Sequence, residues 1–417
     1  MKIAVIGAGI IGITSAYELA RDGHEVTVLE RRGAAAEEAS FANAGVVAPG
    51  YVTPWAAPGM PIKVLQHLFS RYAAVKLGLP LSAHELKWIW QWYRACRLDR
   101  YMVNRATMQR LAFYSRARLH QITADLKLEY ERSDGHLVLL RSKRDSQLMQ
   151  PGLQVLREAG VSFKELDPAD SRKIEPALNP DTPFFGAVHL PGDEVGNCRQ
   201  FALLLKNEAQ RLGVKFLFNT NVLQIAPADA VCLHLAGDGA AQHYDAAVIC
   251  AALDSERLMA PLGLRLPLVG VHGYSISAAI REPLNAPRSA VMDERYKVAI
   301  SRLGNRVRVA GSAELGGNFN KKRASSLQTL YKVLHDWFPG AVNLSGGVQE
   351  WKGTRPMLPD GPPLIGPSGS AGIWLNLGHG SSGWALSCGS ARVLADLIGN
   401  RASDLDVSGF SLARLGR

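Results

Sequence analysis

The sequence lacks the features that mark membrane-spanning, disulfide-rich and metal-binding proteins. Its 417 residues contain no run of 18 apolar residues, so we expect no transmembrane helix, and the apolar start does not fit a signal peptide. The five cysteines have no Cys-x-x-Cys or other metal-like spacing, and their odd number argues against a disulfide framework. We therefore predict no metal site and a cytoplasmic protein with reduced, buried thiols.

A concentrated block of positive charge is also missing. The net charge is +10, yet lysine and arginine are spread along the chain without a basic run of five residues, which argues against nucleic acid as a partner. The excess positive charge favours a membrane surface or an acidic substrate. With 47% hydrophobic residues and 40 glycines, the chain can bury a large core and is expected to form about two domains.

The most informative motifs of the sequence lie in its first thirty residues. An apolar run at 2–6 suits a buried parallel strand, and the turn GAGIIG follows it. Gly7, Gly9 and Gly12 permit a tight turn, close approach of a pyrophosphate and close helix packing. The helical apolar pattern at 13–20 then directs the positive end of a helix at the phosphates. This order predicts a dinucleotide site.

Glu30 ends the second strand, HEVTVLE, eighteen positions after Gly12. A carboxylate there accepts hydrogen bonds from a ribose diol and disfavours a 2′-phosphate, which favours FAD or NAD over NADP. The alternative is a glycine-rich turn without a ligand. Strand, helix, second strand and terminal acid in register argue against that alternative.

Two further segments favour the larger cofactor. After Glu30 comes a long stretch of small residues that includes Ser40 and Gly45, where an NAD enzyme would normally continue into another helix. Near the end of the chain, the strand-like IWLNLG leads into the turn GHGSSG and a second helical pattern at 384–398. Such a turn directs backbone donors towards negative charge, as at the electron-rich end of a reduced flavin.

Taken together, these motifs resemble a known family. GAGIIG, Glu30, SFANAG, PGY, GTRPMLPDG and NLGHGSSGW are similar to the FAD-dependent D-amino-acid oxidase superfamily and, within it, to the bacterial D-amino-acid dehydrogenases of the small-subunit type. The likeness runs from Met1 to about Ala413. It implies FAD as cofactor and a flavoprotein that removes hydride from the α carbon of an amino acid.

The implied fold is α/β. A Rossmann-like FAD-binding domain with a glutathione-reductase-like sheet is assembled from discontinuous segments at 1–51, 141–262 and 347–417. An α+β substrate domain with a mainly antiparallel sheet occupies 52–140 and 263–346, where HGYSISAA, YKVAIS and RVRVAG alternate in polarity.

The resemblance also implies a set of FAD contacts. They are Gly7, Gly9, Ile10, Gly12, Glu30, Arg31, Ser40, Asn43, Ala44, Gly45, Val222, Gly353, Arg355, Gly378, His379, Gly380 and Ser381. One departure stands out: the chain reads CAALDS where relatives tend to have a glycine-containing turn, which places Leu253 at a position that often requires glycine.

Arg355, in GTRP, occupies the place of the superfamily's carboxylate-binding arginine. A guanidinium suits this role because it offers two parallel donors to the two carboxylate oxygens. The alternative is a structural arginine that pairs with an acid such as Asp360.

Three tyrosines are candidates to complete the carboxylate or amine contacts: Tyr51, Tyr274 and Tyr296. For each of them, a core position with a satisfied hydroxyl is an equally good interpretation. Arg302 and His272 are weaker candidates.

His379 lies inside the second glycine-rich turn. An imidazole there could tune the flavin or relay a proton. The alternative is a histidine that only hydrogen-bonds to a neighbouring loop, and we favour this alternative over a catalytic role.

The segment 86–105 combines three tryptophans with five basic residues, a composition that suits a membrane interface. Peripheral contact with the inner face of the cell membrane would agree with relatives that pass electrons to a quinone. The alternative, slightly favoured, is a helix that packs Trp88 and Trp92 into the core while its arginines stay in water.

The function expected from the resemblance is oxidative deamination of D-amino acids to 2-oxo acids and ammonia, with a quinone-type acceptor. A cis-4-hydroxy-D-proline dehydrogenase, or another secondary-amine dehydrogenase, would use the same scaffold. An oxygen-using oxidase is less favoured. From a different class, the chain could be a non-catalytic FAD subunit that only transfers electrons.

Overall fold

The computed structural model describes residues 1–67, 72–227, 230–237, 239 and 241–416. The described strands, in chain order, are β1 (Lys2–Ile6), β2 (Glu25–Leu29), β3 (Val46–Val47), β4 (Val75–Gly78), β5 (Ser133–Leu140), β6 (Lys164–Leu166), β7 (Gly186–Val195), β8 (Lys215–Leu217), β9 (Val222–Ala226), β10 (Val231–Leu235), β11 (Gln242–Tyr244), β12 (Ala246–Ile249), β13 (Val269–Ala279), β14 (Ala290–Asp293), β15 (Val298–Leu303), β16 (Arg306–Gly316), β17 (Gln349–Met357), β18 (Leu364–Pro367) and β19 (Ile373–Leu377). The α-helices are α1 (Ile10–Arg21), α2 (Met60–His67), α3 (Ala83–Ala95), α4 (Leu98–Leu126), α5 (Lys143–Glu158), α6 (Pro168–Ile174), α7 (Cys198–Arg211), α8 (Asp254–Met259), α9 (Ala324–Trp337) and α10 (Gly383–Ile398).

The first sheet is the predicted nucleotide-binding sheet. Its order is β18-β19-β12-β1-β2-β8, with parallel pairing from β19 through β8 and an antiparallel edge strand β18. The apolar strands are buried on both faces, as the continuous apolar runs of β1 and β12 require. Helices α1, α7, α10 and α4 pack together over this sheet. The parallel α/β domain predicted from the sequence is confirmed.

The second sheet is larger and mainly antiparallel. Its path is β17-β13-β16-β15-β14-β5-β7-β3, while β4 pairs with β16 and β6 pairs with β7. Within this sheet, as far as the structure describes it, only the β5–β14 and β4–β16 pairs are parallel. Helix α9 packs on one face, where Trp337 and its neighbours form a core cluster. The opposite face borders a large cavity.

The strand pairing differs from the predicted division into domains. Strands β6 and β7 lie in the second sheet, although the sequence predicts 141–262 as part of the FAD domain. Strand β17 also pairs in the second sheet, with β13, although it lies within 347–417. The sequence pattern identifies a strand but not its partner, which explains the difference. The division into domains stays a prediction.

The Trp-rich segment forms α3 and the start of α4. Trp88 is buried and donates its indole N–H to the Met357 carbonyl at 3.0 Å, and Trp92 packs partly buried beside the same core. Trp90 and Tyr93 are exposed and stack on each other. The favoured interpretation of Trp88 and Trp92 as core residues therefore agrees with the structure. Among the described residues, no helix has the length and apolarity that crossing a bilayer requires.

Candidate active site

A cavity of about 1220 Å³ is lined by residues of both sheets. One end is formed by the first glycine-rich turn and the β2 terminus, and the other end by the second sheet and the turn before α10. Most of the predicted FAD contacts border this cavity. Gly12 and Gly45 do not border it, and their role is structural.

The first turn requires glycine at two positions. Gly7 has φ +105°, and a Cβ there would lie 2.7 Å from the Cys250 carbonyl oxygen. A Cβ at Gly12 would lie 1.9 Å from the Gly7 carbonyl oxygen, so only glycine lets α1 begin this close to β1. Gly9 is the N-cap residue of α1 and has no side chain to cap the helix, and Gly9 and Ile10 line the cavity. The N-terminus of α1 is therefore presented to the cavity.

Glu30 is held in place by backbone donors. One carboxylate oxygen accepts from the Ala8 amide at 2.7 Å, and the other accepts from the Arg32 amide at 2.8 Å. Each carboxylate oxygen retains a second lone pair for a ribose hydroxyl. Ser40 Oγ accepts from the Ile10 amide at 3.0 Å, which ties the loop after β2 to the helix N-terminus.

Ion pairs and hydrogen bonds also fix the residues that follow Glu30 at this end of the cavity. Arg31 pairs with Glu38 at 2.7 Å and with Asp254. Val222 borders the cavity with a buried side chain, and its carbonyl accepts from Arg257 at 2.9 Å. These contacts fix the cavity walls next to the first glycine-rich turn and the end of β2.

After β12, the residue with a left-handed backbone is not the residue that the sequence suggests should be glycine. Leu253 has φ −70°, which any residue adopts, and it borders the cavity. The left-handed residue is Ala252, with φ +49°. Leu253 therefore needs no glycine, and the departure from the family pattern carries no strain at this residue.

The loop that is predicted to meet the flavin is fixed by buried polar contacts. Asn43 Oδ1 accepts from the Gly45 amide at 2.8 Å, and Asn43 and Ala44 line the cavity. Arg308, buried on β16, donates to the Asn43 carbonyl at 2.9 Å and to Ser277 at 2.9 Å. Sequence reasoning missed Arg308; its place in the alternating RVRV run was the available signal.

The second glycine-rich turn closes the same end of the cavity. Gly378 and Gly380 have φ +79° and +56°, and a Cβ at Gly378 would lie 2.5 Å from Leu358 Cδ1. His379 is buried and its Nε2 lies 3.0 Å from Ser390 Oγ on α10. Burial lowers the pKa of His379 to about 3, so its imidazole is neutral. The histidine thus anchors the turn to α10, and Ser381 continues the cavity wall.

Arg355 is a cation without an acidic partner. Its guanidinium donates to the Ser312 carbonyl at 3.0 Å, and no ion pair to it is present among the described residues. Burial lowers the pKa of Arg355 to about 10, so it stays charged at neutral pH. Asp360, the partner in the alternative interpretation, pairs instead with Arg414 at 2.9 Å. A Cβ at Gly273 would lie 2.5 Å from the guanidinium, so glycine there makes room for it.

The three candidate tyrosines are not brought together. Tyr51 borders the cavity, and its hydroxyl contacts Glu294 and Lys297. Tyr274 also borders the cavity, but its ring packs into the core beneath α9 and its hydroxyl donates to Glu314. Tyr296 is absent from the described cavity lining and packs beside Arg141 and the same core. Of the three, Tyr51 and Tyr274 therefore border the cavity, whereas Tyr296 is not part of the described lining.

Alternation along β13 explains where Tyr274 lies. Strand β13 pairs with β17 in unbroken register from Val269 to Ser277, so Gly273 faces Arg355 and Tyr274 points to the opposite side of the sheet. His272 borders the cavity and contacts Thr354 at 2.9 Å, and burial lowers its pKa. Arg302 bonds to the Gly304 carbonyl and is not part of the described lining.

The residues present fit FAD. A dinucleotide requires a glycine cradle, an acid for a ribose and a long cavity, and Gly7, Gly9 and Glu30 meet these needs at one end. The cavity then continues past Ala44 and Gly353 to the His379 turn, which provides length for an isoalloxazine ring.

Comparison with known proteins agrees with this geometry. Residues 2–397 match the family of FAD dependent oxidoreductases called DAO. A D-amino acid dehydrogenase from Bradyrhizobium diazoefficiens is 42% identical over 416 residues, which cover 99% of both chains.

Solved structures show the same fold at low sequence identity. Glycine oxidase from Geobacillus kaustophilus aligns over 99% of this chain and 98% of its own, with 22% identity and a TM-score of 0.78. Iminodiacetate oxidase from Chelativorans sp. BNC1 aligns over 98% of both chains, with 20% identity and a TM-score of 0.74. Because the family match spans nearly the whole sequence, the chain belongs to the DAO family of FAD-dependent oxidoreductases.

Proposed function

We propose that the protein oxidatively deaminates D-amino acids to 2-oxo acids and ammonia, and that the unpaired Arg355 anchors the substrate carboxylate. The observation that supports this is a half-buried guanidinium that borders the cavity and has a single carbonyl partner. A cation taken partly out of water without a counter-charge is costly, and an incoming carboxylate supplies that charge. The D configuration rests on the similarity to the Bradyrhizobium D-amino acid dehydrogenase.

Arg355 would fix the orientation of the reacting carbon. Two parallel N–H groups bind two carboxylate oxygens, which leaves the α carbon little rotational freedom. The neutral His379 adds no positive charge at this end, and this favours a neutral α-amine. When bound, FAD would supply the hydride acceptor for this reaction. As the α hydrogen leaves as hydride, the amine lone pair forms the C=N bond of an iminium ion, and water adds to that carbon to release ammonium and the 2-oxo acid.

We infer an electron acceptor of the quinone type and peripheral contact with the inner face of the cell membrane. Helices α3 and α4 expose Leu86, Trp90, Tyr93, Leu98 and Met102 within seventeen residues, and the exposed basic residues Lys87, Arg94, Arg97 and Arg100 are interspersed among them. Exposed aromatic and cationic side chains together suit an anionic bilayer surface.

Vesicle binding tests the membrane part. The holoenzyme should sediment with phosphatidylglycerol vesicles and less with phosphatidylcholine vesicles. Trp90→Asp should reduce sedimentation several-fold, and the control Leu148→Asp, at an exposed leucine on α5, should not. Equal sedimentation of both variants would count against this surface.

Anaerobic bleaching of the flavin tests the reaction. The holoenzyme is mixed with D- and L-amino acids and with hydroxyproline isomers, and is then reoxidised by oxygen or by a soluble quinone. We expect D-amino acids to bleach the flavin and the quinone to restore it. Preferential bleaching by cis-4-hydroxy-D-proline would favour a secondary-amine dehydrogenase, and rapid recovery with oxygen would favour an oxidase. An absence of bleaching by every amine would indicate an electron-transfer subunit.

A further inference from the structure

A group of three polar residues, two of which line the cavity, lies outside the predicted FAD contacts. The Tyr51 hydroxyl donates to Glu294, and Lys297 Nζ donates to the Tyr51 hydroxyl at 3.0 Å and pairs with Glu294. Tyr51 and Lys297 border the cavity. We call Tyr51, Glu294 and Lys297 the polar triad. Of the three, only Tyr51 is predicted from the sequence, because the other two residues lie in the turn between β14 and β15.

Strand register places the triad close to Arg355. Ala299 of β15 pairs with Ala310 of β16, and Lys297 lies two residues before Ala299. A Cβ at Gly311 would lie 3.0 Å from the Lys297 carbonyl, and the next residue, Ser312, accepts from Arg355. Lys297 and Arg355 therefore flank the same two residues of β16. Since neighbouring strands are about 4.8 Å apart, a substrate side chain of a few atoms spans the interval between Arg355 and Lys297.

The surface beside the triad is small and apolar. Met292, Ala299 and Ala310 are direct cross-strand neighbours on β14, β15 and β16, and all three border the cavity. The two alanines leave room for an aliphatic stem above the sheet. A substrate held at Arg355 could therefore lay its side chain across these residues towards the triad.

The triad is electrically balanced. Burial, together with the Glu294 carboxylate, raises the pKa of Tyr51, so its hydroxyl stays protonated. The positive Lys297 neutralises Glu294. A charged side chain arriving here would find its counter-charge already engaged, whereas a neutral amide or hydroxyl finds both a donor and an acceptor.

We propose that the polar triad determines side-chain specificity and selects D-amino acids with an uncharged, hydrogen-bonding side chain. This inference rests on the proposed function for the identity of the substrate. It assigns Glu294 and Lys297 as specificity residues at the far end of the substrate pocket.

Binding of carboxylates that cannot be oxidised tests the inference independently of turnover. The probes are glutaramate, glutarate and 5-aminopentanoate, which share one carboxylate and end in an amide, an anion and a cation. Each is titrated into the holoenzyme and followed by the change in the flavin spectrum. We expect glutaramate to bind at least about tenfold more tightly than the two charged probes, which corresponds to about 1.4 kcal/mol.

Two variants should change this order in opposite directions. Glu294→Gln leaves Lys297 without its counter-charge, so glutarate should gain at least about tenfold relative to glutaramate. Lys297→Met leaves Glu294 unpaired, so 5-aminopentanoate should gain by a similar factor. Lys173→Met removes a lysine with the same i,i+3 spacing from its acid, Asp170, on the exposed helix α6, and should change neither ratio.

The failures of the two proposals are distinguishable. Unchanged ratios in both triad variants, or the same shift for both charged probes, would overturn the specificity role even if D-alanine is oxidised. Absence of flavin bleaching by every D-amino acid tested would overturn the proposed function, while the probe ratios would still report on the triad.

Discussion

Arginines that are buried or half-buried occupy two very different surroundings in this protein. Between α1, α4 and α10, Glu18 is fully buried and accepts from Arg118 at 2.6 Å and from Arg392 at 2.8 Å. Arg392 also pairs with Asp22 at 2.5 Å. In the cavity, Arg355 has a carbonyl oxygen and no acid among the residues that the structure describes.

The contrast distinguishes charged side chains that stabilise the fold from a charged side chain that is available to bind a ligand. Burial lowers the pKa of both arginines, but the acids around Arg392 outweigh it and raise its pKa, whereas the pKa of Arg355 falls to about 10. A paired buried charge contributes to stability only while its partner remains, and an unpaired one costs stability until a ligand neutralises it.

The largest expected effect comes from breaking the paired network. Glu18→Gln removes the carboxylate that Arg118 and Arg392 share, and should lower the free energy of unfolding by about 3–5 kcal/mol. Denaturant unfolding of the flavin-bound protein measures this. The control Glu25→Gln alters an exposed pair with Lys215 and should cost less than about 1 kcal/mol. Equal losses of unfolding free energy in the two variants would contradict the distinction between the buried network and an exposed ion pair.

The next effect concerns Arg355. Arg355→Met should lower kcat/KM for D-alanine at least about 100-fold, because a carboxylate contact worth about 3 kcal/mol is lost. The free energy of unfolding should stay equal or rise, since a buried unpaired charge is removed. Arg414→Met, the matched control at a partly buried arginine paired with Asp360, should lose stability but retain kcat/KM. The reverse pattern would contradict the comparison.

The smallest effect depends on pH. The folded-state pKa of His379 is about 3, below the ordinary 6.5, so the unfolded chain binds more protons between these values. Stability is therefore full above pH 6.5 and falls as the pH drops, by about 2 kcal/mol at pH 5. Thermal unfolding of the wild type and of His379→Gln measures this. The variant should lose this part of the pH dependence, and an identical slope would count against a neutral, buried His379.

The dinucleotide end was predictable because its signals are local. Gly7, Gly12 and Glu30 act within one strand–helix–strand unit, and the close contacts at the two glycines follow from that short geometry. Arg355 was predictable only through the family resemblance, since its surroundings come from β13 and β16, which are distant in sequence.

The substrate end was less predictable. Alternation indicates which residues share a strand face but not which face borders the site, and along β13 it is Gly273, not Tyr274, that lies against Arg355. Sheet membership of β6 and β7 depends on long-range pairing that a strand pattern does not encode. Glu294 and Lys297 come together with Tyr51 only after β14 and β15 form their turn.

The most direct test of the central claim is the binding of acetate to the holoenzymes of the wild type and Arg355→Met, followed by the change in the flavin spectrum. Acetate has a carboxylate and no oxidisable amine, so it reports on the cation alone. We predict that the variant binds acetate at least about 30-fold more weakly, while neutral acetamide binds weakly to both. Equal affinity of acetate for the two proteins would show that Arg355 does not hold the carboxylate.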